Sequence, residues 1–84
     1  MNKDDVKLRA SRAKALMQSD AFTDAMKDLR DRQIAVFVNS GADQVEDREE
    51  AHAMVRALNR IDEYLQADVD AGTILDKKEE RHRG

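Results

Sequence analysis

Between Ala51 and Leu65 the apolar residues fall at 51, 54, 55, 58, 61 and 65, and the series resumes at 69. Alternating steps of three and four line these side chains along one face of a helix. Arg56, Asn59, Arg60, Asp62, Glu63 and Gln66 take the wet face. The pattern predicts a helix over about 45–71, roughly 40 Å long, closed by Ala71-Gly72 as a C-cap. A helix apolar on one side needs a partner.

Two further helices precede it. Val6, Ala10, Ala13 and Met17, widened by Leu16, make the stripe of a first helix over 3–18. Asp4 and Asp5 sit in its first turn, where the helix dipole favours negative charge. Ser19-Asp20 interrupts the stripe and supplies a cap for the next helix. That helix, over about 21–38, sets Phe22, Ala25, Met26, Leu29, Val36 and Phe37 on one face. Lys27 and Asp31, four apart, can pair on its outside. Its last turns, Ile34 to Val38, are apolar on nearly every side and call for cover all round.

Asn39-Ser40-Gly41 stops the second helix, with Asn39 or Gly41 expected in the left-handed conformation of a cap. Asp43, three residues before Glu46, reads as a capping box. So short a link joins antiparallel neighbours. The predicted fold is all-α: an antiparallel hairpin of the second and third helices with the first packed across it. One domain is expected over residues 1–75, with 76–84 as a charged, frayed tail.

Composition adds a need for partners. The chain has 84 residues, room for one domain, with seventeen Leu, Ile, Val and Phe and twelve alanines. A core of that size supports only ~3–5 kcal/mol of stability. Without cysteine, disulfides and thiolate metal sites are excluded. Self-association is then the first remedy, as a homodimer or higher oligomer, with stable attachment to a larger protein as the other. No apolar run approaches the ~20 residues that cross a bilayer, and Met1 to Val6 lacks the apolar core of a signal peptide.

Charge divides the chain. Residues 1–18 hold five basic and two acidic side chains, whereas residues 19–72 hold six basic and thirteen acidic. An acidic body disfavours broad nucleic-acid binding. Lys3, Lys7, Arg9, Arg12 and Lys14 on the first helix are the candidates for a polyanion contact. The plainer reading, a solvated basic face on a helix docked against the acidic body, is favoured.

Catalytic and metal chemistry find little footing. Glu49 and His52 form Glu-x-x-His, a spacing that ligates paired metals in helical bundles. The second helix has no glutamate to complete such a site. Asp68, Asp70 and Glu79 resemble a calcium loop, but Thr73 stands where the turn needs glycine. Ser11, Ser19 and Ser40 have no histidine nearby in sequence. No catalytic residue, metal ligand, cofactor site or small-molecule site is expected.

The runs Ala15-Leu-Met-Gln-Ser-Asp-Ala-Phe22, Leu29-Arg30, Asp47-Arg-Glu-Glu50, Ala57-Leu-Asn-Arg-Ile61 and Asp70-Ala-Gly72 resemble small helical bacteriophage proteins encoded among head-assembly and packaging genes. Ala21 stands where those proteins tend to have proline. The resemblance implies a phage context, in the host cytoplasm or the virion, and transfers no role to any residue.

The expected function is a non-enzymatic protein–protein interaction module, a virion structural or assembly accessory protein. Ile34, Phe37, Val38, Met54, Leu58, Ile61 and Leu65 are the expected interface. Tyr64 is either an anchor there or, as favoured, the wet edge of a core. The alternative is a regulator that binds a host nucleic-acid-processing protein through its acidic body, or nucleic acid through its basic first helix.

Overall fold

The computed structural model describes residues 2–83, which form three helices and no strand. They are α1 (Lys3–Met17), α2 (Asp20–Asn39) and α3 (Val45–Arg83). The first two open on a polar side chain. The Asp5 amide donates to Asn2 Oδ1 at 2.9 Å, and the Phe22 amide to Ser19 Oγ at 3.4 Å. Each cap takes up an amide that has no partner within its helix.

Only Gln18 and Ser19 separate α1 from α2. The Ser19 amide donates to the Leu16 carbonyl at 3.0 Å, and Thr23 Oγ1 reaches back to the Met17 carbonyl at 3.4 Å. The two helices follow one another along one side of α3 and scarcely touch each other. Lys7 meets Glu79, Arg9 meets Asp68, Arg30 meets Asp62 and Phe37 meets His52. Numbers rise along α1 and α2 as they fall along α3, so both run antiparallel to it.

The molecule is therefore a rod two helices thick, 63 × 22 × 19 Å. Its length is that of α3, whose 39 residues span roughly 58 Å. The first helix contacts both of the others, as expected, but chiefly α3: it follows α2 along the rod and covers the length of α3 that overhangs α2.

Nor does α3 stop at Ala71-Gly72. Gly72 is a buried residue within the helix, and a Cβ built on it would collide with the Ala10 side chain. The glycine lets α1 and α3 approach closely. Beyond it the helix continues through Arg83 over the stretch read as a frayed tail, tied to α1 by Lys7 and Glu79 at 2.8 Å. Arg81, His82 and Arg83 complement the dipole in its last turn. With Ala10, Ala13 and Gly72 at the crossing, α1 packs more closely on α3 than α2 does, where Met26, Arg30 and Gln33 intervene.

At the α2–α3 turn no described residue has positive φ, so the left-handed cap expected at Asn39 or Gly41 is not used. Ser40 leaves the helix in extended geometry. Arg48 holds the turn from α3, donating to Ser40 Oγ at 3.1 Å and to the Gly41 carbonyl. Gln44 Oε1 accepts from the Gly41 amide at 2.7 Å, and Gln44, not Asp43, immediately precedes α3.

The core is a single seam. Ala51, Leu58, Leu65 and Gly72 recur every seven residues on α3 and face the other arm. Ala51, Leu58 and Gly72 are buried and Leu65 is half-buried. Ala13 and Met26 are the buried residues of the facing helices.

Candidate protein-interaction surface

The apolar stripe of α3 divides in two. One line, through Leu58, closes the seam. The other, seven-residue steps from Asp47 through Met54 and Ile61 to Asp68, runs beside it along one flank of the rod. Met54 and Ile61 are only partly covered, at 42% and 43% exposed. Glu50, Ala57 and Tyr64 form the next line outward.

The opposite arm supplies the other half of this flank. Gln33 and Val36 share an open groove with Asp47, Glu50, Ala51 and Met54. Leu29, seven residues before Val36, continues that line. Farther along, Leu16 shares a second groove with Arg9, Arg12, Leu65 and Asp68. Leu16, Leu29, Val36, Met54, Ile61 and Tyr64, all exposed, line this flank, whereas Leu8, Val45 and Ile74 are exposed away from it. The strip is acidic at the hairpin tip, where Asp47 and Glu50 border it. At the other end Arg12 borders it beside Arg9, which pairs with Asp68.

The other flank is mostly polar. His52, Asn59, Gln66 and Thr73 stand in line along α3, and Arg30 donates to Asn59 Oδ1 at 3.3 Å. A smaller apolar group sits at the tip of this flank. Phe37 meets the His52 ring edge-on, with centroids 6.2 Å apart and planes at 83°. Ile34, Phe37 and Val38 stay exposed, Val38 to 76%. The cover that the sequence demanded for this turn does not come from the chain itself.

The residues expected at an interface therefore separate. Leu58 and, in part, Leu65 belong to the chain's own seam. Met54 and Ile61 lie on the apolar flank, and Ile34, Phe37 and Val38 surround the end of α2. Tyr64, favoured as a core edge, is 69% exposed and stands on the outer border of the flank. Sequence reasoning missed Leu16, Leu29 and Val36 as surface residues because each satisfies the stripe of its own helix. The signal that places them is the seven-residue spacing of Leu16 from Arg9 and of Leu29 from Val36.

The basic residues of α1 are not gathered into a free patch. Lys7 bonds to Glu79, and Arg9 lies 3.6 Å from Asp68. The hydrogen bond to Glu79 holds the Lys7 ammonium above its ordinary value, and the same bond holds the Glu79 carboxyl below its own. Lys14 borders a groove with Val69 and Asp76 on the polar flank, and Arg12 points to the apolar one. Lys3 is exposed at the start of α1. On α2, Lys27 and Asp31 pair at 2.6 Å as expected, which raises the Lys27 pKa.

Among the described residues no group of three or more His, Asp or Glu is placed to hold a metal ion. Asp68 and Glu79 sit in a continuous helix and answer Arg9 and Lys7, so the calcium-loop spacing forms no loop. No described helix is long and apolar enough to cross a membrane. No protein-family model matches the chain, and neither a curated protein nor a solved structure matches it.

Proposed function

We propose that the chain is a non-enzymatic protein–protein interaction module that works by packing its apolar flank against another helical surface. One observation carries this reading: Leu16, Leu29, Val36, Met54, Ile61 and Tyr64 stand exposed on one side of a rod with a single thin seam. Scattered apolar side chains on a surface need no explanation, but a contiguous strip bordered by charge marks a contact site. A role as a virion structural or assembly accessory protein follows from the phage resemblance alone, and the geometry adds nothing to that part. The nucleic-acid form of the regulator reading has less to stand on, because Lys7 pairs with Glu79 and Arg9 with Asp68 within the chain.

A photo-crosslinking residue at position 61 tests the module in its native cell. Irradiation should join the chain to protein through that position and not through an equivalent probe at Glu80, which is exposed in line with the polar flank. Absence of any protein adduct at 61 would refute the reading.

A further inference from the structure

We infer that the flank is covered by a second copy of this chain, related by a two-fold axis across the rod, so that the functional unit is an antiparallel four-helix dimer. This rests on the interaction-module reading and names its partner. The first argument is area. The chain exposes 6669 Å², whereas a folded monomer of its 9.6 kDa mass exposes about 5,100 Å². The excess is about 1,600 Å², and a symmetric dimer removing it from both copies would bury about 3,200 Å² in all, within the range of obligate homodimers.

The second argument is polarity. Along the flank the chain presents Asp47 and Glu50 at the hairpin tip, an apolar middle, and at the far end Arg12 beside the Arg9–Asp68 pair. A surface acidic at one end and basic at the other complements itself when one copy is turned end for end. Such self-complementarity is what a two-fold contact requires. With the axis near Ala57 and Leu58, Met54 of each copy faces Ile61 of the other, Glu50 lies level with the Leu65 and Arg12 of the other, and Asp47 meets the Arg9–Asp68 pair. A parallel arrangement would set like charges together at both ends.

Sedimentation equilibrium of the purified full chain at tens of micromolar tests the assignment. The expected mass is twice 9.6 kDa; a monomer, folded or not, or any higher assembly would overturn it. Ile61→Asp should abolish the dimer. Charge reversal at the ends of the flank supplies an independent test that leaves the apolar side chains in place. Glu50→Arg and Arg12→Glu should each weaken the dimer roughly tenfold, since two symmetry-related contacts change at once. The two reversals in one chain should restore it, and a doubly reversed chain no tighter than the singles would refute the antiparallel pairing. The crosslink at position 61 separates the two proposals. An adduct between two copies supports both. Adducts with other proteins only would sink the second copy and leave the module standing.

Discussion

Gly72 on α3 and Ala10 on α1 touch so closely that no further carbon fits between them. The pair fixes the spacing of the two helices where they pack most tightly. Alanine at 72 would gain roughly 1 kcal/mol of helix propensity. It would also force α1 outward, and overpacking of this kind costs about 1–3 kcal/mol. Gly72→Ala should therefore lower the melting temperature followed by circular dichroism, and adding Ala10→Gly should recover much of the loss. A Gly72→Ala chain that melts higher than the parent would show that the approach is not close.

Leu58 is 3% exposed at the middle of the seam, whereas Val38 is 76% exposed. Leu58→Ala should cost about 2–5 kcal/mol, enough to unfold a chain of this margin. Val38→Ala should stay within about 0.5 kcal/mol. Urea titration of the two variants under identical conditions checks the contrast, and equal losses would mean that the seam is misplaced.

Arg30 spans the two arms, donating to Asp62 and to Asn59. Both members of the ion pair are partly open to water, at 32% and 41%. A double-mutant cycle with Arg30→Ala and Asp62→Ala should give a coupling of at most about 1 kcal/mol. The coupling should shrink in high salt. A coupling that ignores salt would point to packing of the Arg30 stem instead of charge.

The Lys7–Glu79 contact makes the far end of the rod sensitive to pH from both sides. Lys7 holds Glu79 below its ordinary 4.5 by hydrogen bonding. That contribution is whole above the ordinary carboxylate range and disappears as pH falls through the lowered value. Lys7 is held above its ordinary 10.5 by the same bond, so its contribution is whole below 10.5 and disappears as pH rises through the raised value. Cα chemical shifts of residues 76–83 should report most helix between these limits. Glu79→Gln should flatten the acid side of that profile. The pair is exposed, so the global melting temperature should move little.

Three helices, their order and the Ser19 cap of α2 were legible in the sequence, whereas the Asn2 cap of α1 was missed and Asp43 was read where Gln44 precedes α3. Asp4, Asp5 and Ser19 act through neighbours a few positions away, and such chemistry is visible in a string of residues. Gly72 was not legible as a packing residue, because a glycine after Ala71 carries the same local signature as a helix end. What distinguishes it is its place seven residues beyond Leu65, in line with Ala51 and Leu58, and its contact with Ala10, 62 positions away. The apolar positions of α3 were identified correctly as a group. Their division into seam and flank depends on where the second arm lies, and periodicity within one helix does not contain that information. Tyr64 went to the outer surface for the same reason.

The order of helices along the rod also fixes how its ends can meet. Phe37 and His52 lie near the turn, Arg30 and Asp62 are separated by 32 positions, and Lys7 and Glu79 by 72. Each closure shortens the loop that the next must cross, so zipping outward from the turn is the path of least entropy loss. α1, joined to α2 through Gln18 and Ser19, is then the last part to dock, and its close contact at Gly72 and Ala10 forms only after the α2–α3 clasp has shut.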